Sequence, residues 1–136
     1  MSADANRKLV EDFYAAGGPL ADRDELPRFF GPRYVSHNAP AGSERGMSHA
    51  EALRASLEQS FSDVSYEVLR VVADDDFAAV HAVMRATHSG DGLGVKPTGR
   101  KVSAEQMHFV RFEDGKIVEH WAVRDDAGLV RQLGGG

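Results

Sequence analysis

The chain has 136 residues, of which 42% are hydrophobic and 27% are charged, and its formal net charge is −5. These values are typical of one globular domain, and an acidic chain without a Lys/Arg cluster is unsuited to bind nucleic acid or an anionic membrane surface. The absence of cysteine excludes disulfides and thiolate chemistry. No apolar stretch at the amino terminus resembles a signal peptide and no segment is long enough to span a bilayer, so we expect a cytoplasmic protein.

The first half of the chain is predicted to be helical. Over residues 4–16, Leu9, Val10, Phe13 and Tyr14 form an i, i+3, i+4 stripe that a Gly-Gly-Pro sequence ends. A second short helix is predicted over residues 24–30, and an extended piece and a polar loop follow it. Ser48 and Glu51 have the spacing of a capping box at the start of a third helix. The pattern of this third helix predicts that it buries Ala52, Leu53, Leu57 and Phe61.

The second half is predicted to form antiparallel strands. Alternating or continuous apolar residues place these strands at 64–73, 77–88, 100–112 and 116–123. Asp114-Gly115 between two apolar runs is a strong signal for a hairpin. A glycine-rich loop is expected over residues 89–99. A short helix is expected over 126–133, and a mobile tail over 134–136.

Helices followed by strands indicate an α+β domain that spans residues 1–136. We expect the helices to pack on one face of a curved antiparallel sheet, which then forms a cone with an open mouth. An apolar cone of this kind suits a small-molecule site. Met107, Phe109, Val118 and Ala122 are predicted to leave apolar area on the outer face, which favours a homodimer through the β-sheet.

One strand face is predicted to end in an acid. With strict alternation, Ile117, Glu119, Trp121, Val123 and Asp125 point to the same side of the last strand. An apolar wall around Trp121 would raise the pKa of the Asp125 carboxyl, which would make it a usable general base near neutral pH. The alternative is that Asp125 caps the helix that starts at residue 126.

Three segments of the chain resemble the SnoaL-like polyketide cyclases, a branch of the nuclear-transport-factor-two-like (cystatin-like) superfamily of cone-shaped α+β domains. The segments are Tyr34-Val-Ser-His-Asn-Ala-Pro40, then Pro97-Thr-Gly-Arg100, and the stretch from Phe109 to Gly134 with Asp-Gly-Lys-Ile-Val-Glu-His-Trp. The resemblance covers nearly the whole chain. It is specific for the fold and the group, and much less specific for the substrate.

The resemblance implies a reaction and a set of residues. Cyclases of this family close the last ring of anthracycline-type polyketides by intramolecular aldol condensation, with neither a metal nor an organic cofactor. The family's aspartate acid/base falls on Asp125, a family histidine matches His108 and a family asparagine matches Asn38. This chain has Arg124 where members commonly have an aliphatic residue. A second acid, Asp126, leaves open which carboxylate faces inward.

The remaining candidate residues follow from their positions in the predicted strands and helices. His108 shares a predicted inward face with Gln106, so it either bonds a substrate carbonyl or is a core histidine. Asn38 is either a turn residue or a polar group at the pocket mouth. The other candidates for substrate binding are His37, Tyr14, Trp121 and His88. His120 lies on the face opposite Asp125 and is expected at the dimer contact.

The sequence therefore predicts a polyketide cyclase that acts on a small, mostly apolar, carbonyl-bearing substrate. Another reaction in the same pocket, such as hydroxylation, isomerisation or dehydration, is the enzymatic alternative. A pocket that binds a small ligand without catalysis is the alternative from a different class. The six histidines show no spacing typical of a metal site, so no metal is expected, and the family resemblance implies that no organic cofactor is needed.

Overall fold

The computed structural model describes residues 2–134, which contain four α-helices and five β-strands. Two 3-10 turns, Gly18–Leu20 and Arg23–Glu25, connect the first two helices. The elements in chain order are α1 (Ala3–Ala15), α2 (Leu26–Phe29), β1 (Phe30–Ser36), α3 (Met47–Ser60), β2 (Phe61–Ala73), β3 (Phe77–His88), β4 (Lys101–Glu113), β5 (Lys116–Arg124) and α4 (Asp126–Gln132).

The strands form one curved sheet in the order β1-β5-β4-β3-β2. Strands β2 to β5 are an antiparallel meander, whereas β1 pairs with β5 in parallel. Helices α1 and α3 lie against the sheet and leave a cavity between them and β1, β4 and β5. The predicted α+β fold is confirmed, with one parallel strand added at the edge. No helix within residues 2–134 is both long and apolar enough to cross a membrane.

Most of the predicted boundaries lie within a few residues of the observed ones, and the errors at α3 concern its capping and its buried face. The predicted capping box does not form, because Gly46 precedes the helix and no side chain caps it. Glu51 instead pairs with Arg23 at 2.9 Å. Helix α3 buries Arg54 and Ser60, while Ala52 is exposed and Leu53 and Leu57 are only partly buried. Residues 135 and 136 of the predicted tail lie outside the described residues.

The β4–β5 hairpin contains a bulge that decides which side chains enter the cone. Asp114 and Gly115 have φ angles of 50° and 75°, as a type I′ turn requires, and Phe112 pairs with Ile117 in regular register. Arg111, which precedes Phe112 in β4, pairs with Glu119 and not with Val118. Val118 is therefore an extra residue, and it packs beside Gly31 of β1. A one-residue shift of this kind exchanges the two faces of everything that follows it.

The face assignment predicted for the end of β5 is consequently wrong. Trp121 and Val123 pair with Phe109 and Met107, which are 44% and 53% exposed on the outer face of the sheet. Val118 is buried, so it does not add to that outer face as predicted. The inner face of β5 is formed by His120, Ala122 and Arg124, opposite Val110, His108 and Gln106 of β4.

The core lies in two clusters on the inner side of the sheet. The larger one packs Val10, Phe13 and Tyr14 of α1 against Val80 and Ala82 of β3, among other residues. The second cluster joins Phe61 and Met84 to the C-terminal helix through Leu129 and Leu133. Phe61, predicted to be buried, belongs to the second cluster, and Phe30 lines the cavity.

Candidate active site

A mainly apolar cavity opens between α1, α3, β1, β4 and β5, and polar groups converge on it from several elements. Its apolar lining is Val10, Phe13, Pro19, Leu26, Phe30, Met47, Ala50, Leu53, Val110 and Ile117. Its polar lining is Tyr14, Tyr34, Ser36, Asn38, His49, Glu51, Arg54, His108, His120 and Arg124. A few convergent polar groups in an apolar pocket are the usual features of a small-molecule site.

Hydrogen bonds link three side chains along the inner face of β4 and β5. His108 Nδ1 lies 2.8 Å from His120 Nε2, and His108 Nε2 lies 2.8 Å from the Gln106 side-chain oxygen. Because that oxygen can only accept, His108 carries its proton on Nε2 and accepts at Nδ1. His120 must then donate from Nε2, which leaves its Nδ1 as a free acceptor. His120 lines the cavity, and no side chain or backbone group of residues 2–134 bonds that nitrogen.

Both histidines are held in the neutral form. Burial lowers the pKa of His108 to about 2, and electrostatic interactions with the His120 site and the Arg124 guanidinium lower it further. Burial also lowers the pKa of His120 to about 3, with further contributions from Arg124 and His49. A neutral imidazole retains a lone pair, so this hydrogen-bonded group can receive a proton at His120 Nδ1.

Tyr14 and Asn38 provide hydrogen-bond donors to the same cavity. Burial raises the pKa of Tyr14 far above its ordinary range, so its hydroxyl keeps its proton. The Tyr14 ring lies 5.4 Å from that of His108. The Asn38 side-chain oxygen accepts a bond of 2.9 Å from the Ala122 backbone N–H, while its Nδ2 is buried with no partner among residues 2–134. An unsatisfied buried donor beside a pocket is suited to a ligand carbonyl.

Two guanidinium groups also line the cavity. Arg54 is only 7% exposed and donates through Nη2 to the Ala21 carbonyl. Arg124 projects from the inner face of β5 beside Gln106. Among the described residues, Glu51 is the one acid in the lining, and it already pairs with Arg23.

Asp125 lies outside this arrangement. Its side chain is exposed and accepts a bond of 2.8 Å from the Gly128 N–H, so it caps α4. This capping role is the alternative that the sequence left open beside an acid/base role. The predicted inward orientation of Asp125 is wrong because of the bulge at Val118. Asp126 is also exposed and is the first residue of α4.

Two further candidates lie on the outer side of the sheet. The rings of His37 and Trp121 stack at 4.6 Å with an interplanar angle of 8°. His37 also forms a hydrogen bond with Glu119, and this bond, together with one from Arg111, lowers the pKa of the Glu119 carboxyl. Neither ring belongs to the cavity lining. The structure therefore separates both residues from the group formed by His108, Tyr14 and Asn38.

Gln106 and His88 are buried without lining the cavity. Gln106 orients His108 through the bond described above, so it is a positioning residue. His88 is the last residue of β3 and lies opposite Phe61 of β2. Its Nδ1 accepts a hydrogen bond of 3.2 Å from the Thr98 N–H. Its Nε2 is buried with no partner in the part of the chain that the structure describes.

His120, Arg124 and Arg54 were not predicted as site residues. His120 was expected at a dimer contact, but it faces the cavity and bonds His108. The signal that was available is the pair of consecutive apolar residues Ile117 and Val118, since two adjacent buried residues are incompatible with regular alternation. Arg54 gave no signal, because a charged residue on a helix is ordinarily exposed.

Comparisons with known proteins agree with this fold. The family model for the SnoaL-like polyketide cyclases matches residues 8–133. The aklanonic acid methyl ester cyclase AcmA of Streptomyces galilaeus is 31% identical over 132 residues, which cover 96% of this chain and 88% of that protein. The nogalonic acid methyl ester cyclase of Streptomyces nogalater is 29% identical over 119 residues, with 86% and 87% of the two chains covered.

A solved structure gives the same picture. AclR of Streptomyces galilaeus, which carries a provisional assignment as a hydroxylase, superposes with a TM-score of 0.84 at 29% identity, covering 98% of this chain and 83% of that one. The match to the family model extends over almost the whole chain, and the cone-shaped α+β fold is the one shared by these proteins. The chain therefore belongs to the SnoaL-like polyketide cyclase family.

Proposed function

We propose that this protein closes a ring of a polyketide ester by an intramolecular aldol reaction that needs no cofactor. The observation that carries the proposal is the free Nδ1 of His120, a proton acceptor in an apolar cavity that also holds the Tyr14 hydroxyl and the Asn38 amide. The relatives named as methyl ester cyclases support the same reaction class.

The reaction begins with removal of a proton from a carbon acid of the substrate. His120 Nδ1 accepts that proton, and the C–H electron pair becomes an enolate. The resulting imidazolium is stabilised by the bonds from His120 Nε2 to His108 and from His108 Nε2 to Gln106. The enolate carbon then attacks a ketone carbon of the same molecule, and a new C–C bond forms. The alkoxide takes the proton back from His120, so the atoms of the product equal those of the substrate.

The low pKa of His120 in the empty cavity is compatible with this role. Arg124 is one of the causes of that low value. When an enolate forms beside Arg124, its negative charge offsets the guanidinium, and the imidazolium becomes easier to form. The proton acceptor is therefore strengthened as the substrate loses its proton.

The remaining groups orient the substrate. Tyr14 and Asn38 Nδ2 are donors that suit two carbonyl oxygens of an extended polyketide, and the apolar lining excludes water. Correct orientation of two reacting groups in one molecule contributes several kcal/mol, roughly 7–11 in favourable cases. Asp125 has no part in this proposal, because it caps α4 and does not line the cavity.

The decisive experiment is a turnover assay with aklanonic acid methyl ester, read by liquid chromatography and mass spectrometry. An aldol closure gives a product of unchanged mass and altered retention. We expect wild-type protein to form it and His120→Gln to form it much more slowly. If folded wild type leaves the ester unchanged while an established cyclase converts it, the proposal is wrong, and a binding role without catalysis becomes the better account.

A second candidate function is hydroxylation, favoured by the similarity to AclR. The same assay distinguishes the two, because a hydroxylated product gains the mass of one oxygen atom. Supply of a reductant and oxygen would be necessary for that product and irrelevant to the aldol product. Formation of the heavier product under those conditions would replace the cyclase proposal.

The outer face of the sheet favours a homodimer. Met107, Phe109 and Val123 are 53%, 44% and 75% exposed and adjoin Trp121, so they form a contiguous apolar patch. Several polar and charged groups of the outer face are already paired within the chain, as in His81 with Glu105 and Arg85 with Glu67. A second copy can therefore approach without leaving these charges unpaired. A cytoplasmic location stays a prediction from the sequence.

A further inference from the structure

Arg124 brings a full positive charge into the cavity without an acid to balance it. Its side chain leaves the inner face of β5 opposite Gln106 and lines the cavity. Within residues 2–134 it forms no ion pair, and the one acid of the lining, Glu51, is occupied by Arg23. A guanidinium cannot lose its charge by deprotonation under ordinary conditions.

The position of this charge is central in the cone. Burial raises the pKa of Tyr14 on α1, Tyr34 on β1 and Tyr66 on β2, and in each case the guanidinium opposes part of the rise. Burial lowers the pKa of His108 on β4 and His120 on β5, and the guanidinium adds to this effect. These interactions agree with the geometry, since Arg124 pairs with the inward-facing Gln106 and belongs to the cavity lining.

A second guanidinium, that of Arg54, lines the same cavity from α3. Arg54 is only 7% exposed, and its Nη2 donates a hydrogen bond to the Ala21 carbonyl. Its Nη1 is buried and has no partner among the described residues, and its nearest acid, Glu58, lies 4.0 Å from Nε. A buried donor of this kind is costly unless something accepts its hydrogen bond.

Two guanidinium groups surrounded by neutral histidines favour a negatively charged ligand. We propose that the cavity binds its substrate through a planar, delocalised oxyanion, an enolate or a carboxylate, held by Arg124 with Arg54 as a second donor. Guanidinium forms two parallel bonds to such a group, which a neutral ester carbonyl cannot match. The inference deepens the proposed function, on which it rests for the identity of the anion as an enolate.

Binding of matched small probes tests the inference without turnover. One pair compares 2-naphthoate with its neutral methyl ester, and the other compares indane-1,3-dione, as its enolate, with neutral indan-1-one. Calorimetry is done on wild type, Arg124→Met and Arg124→Lys. Arg70→Met is the control, because Arg70 is exposed on β2 and its removal changes the net charge equally.

We expect wild type to bind at least one anion about tenfold or more tightly than its neutral partner. Arg124→Met removes this preference, Arg124→Lys keeps part of it, and Arg70→Met leaves it intact. The pair that shows the preference identifies the anion as an enolate or a carboxylate. Equal affinity for both members of each pair, or equal losses of both in Arg124→Met, would overturn the inference.

The outcome is separable from that of the turnover assay. Preference for an anion with no ring closure would leave this inference standing and reject the cyclase proposal. Ring closure without any such preference would leave the cyclase proposal standing and reject this inference. Arg124→Lys and the wild-type comparison keep the test decisive if Arg124→Met does not fold.

Discussion

Arg124 pairs with Gln106 across the β4–β5 ladder, and the residue that follows it, Asp125, is thereby turned out of the cone. The two neighbours have opposite roles as a result. The arginine contributes charge to the cavity, whereas the aspartate caps α4 through the Gly128 N–H. Arg124 therefore lines the cavity, where the strand pattern had predicted Asp125.

Replacement of Asp125 distinguishes a capping role from a catalytic one. Asparagine caps helices about as well as aspartate, so Asp125→Asn should keep both turnover and stability close to wild type. Asp125→Ala should lose about 1 kcal/mol of unfolding free energy, measured by denaturant titration. A fall of about a hundredfold or more in kcat for Asp125→Asn, with unchanged stability, would restore Asp125 as the base.

Replacement of His120 tests the proposed proton acceptor. In His120→Gln the amide nitrogen can still donate to His108, but the free ring nitrogen is gone. We expect kcat to fall by about 10²- to 10⁴-fold, the usual contribution of a general base, with KM changed only a few-fold. His81→Gln is the matched control, because His81 faces outward and bonds Glu105 at 2.9 Å. Steady-state kinetics that show equal activity in both variants would contradict the proposal.

The two buried histidines make stability depend on pH. Their folded pKa values of about 2 and about 3 lie below the ordinary value of 6.5, so between these limits only the unfolded chain takes up protons there. Unfolding free energy should therefore fall as the pH drops below about 6.5, by up to about 1.4 kcal/mol per pH unit for each histidine.

Denaturant titrations between pH 6.5 and about 5 measure this slope, above the range in which carboxylates titrate. The double variant His108→Asn, His120→Gln should flatten it. An unchanged slope in that variant would mean that the two histidines are not buried in neutral form.

The proposed dimer depends on the apolar patch of the outer face. Val123 is 75% exposed at its centre, so Val123→Glu introduces an acid into the contact without affecting the core. Sedimentation equilibrium should show a dimer for wild type and a shift toward monomer for Val123→Glu. Ala52→Glu is the control for an added negative charge, because Ala52 is exposed on α3, away from the outer face of the sheet. A wild-type protein that sediments as a monomer at all concentrations would contradict the dimer.

Local signals were sufficient to predict most of the fold. The stripe of Val10, Phe13 and Tyr14 identified α1, and Asp114-Gly115 identified the hairpin, because both signals lie within a few residues of the structure they specify. The parallel pairing of β1 with β5 was not predictable in this way. It joins residues that are more than 80 positions apart, such as Val35 and Glu119, and depends on the packing of the whole sheet.

The site was predictable only where the strand register was regular. Regular alternation along β4 correctly placed His108 and Gln106 inside and Met107 and Phe109 outside. In β5 the same rule failed after Val118, and every later residue was assigned to the wrong face. Asn38 and Tyr14 were identified from the family resemblance and from their polar atoms. Arg54 needed the structure, since its burial depends on the Ala21 carbonyl.

The extra residue at Val118 also bears on how this scaffold can diversify. Loss or gain of one residue there would replace the inner set of His120, Ala122 and Arg124 with Glu119, Trp121 and Val123 in a single genetic step. The chemistry of the chamber would change from basic to acidic and aromatic while the hairpin turn stayed the same. Families built on this cone can thus acquire a new reaction by a change in strand length before any catalytic side chain is substituted.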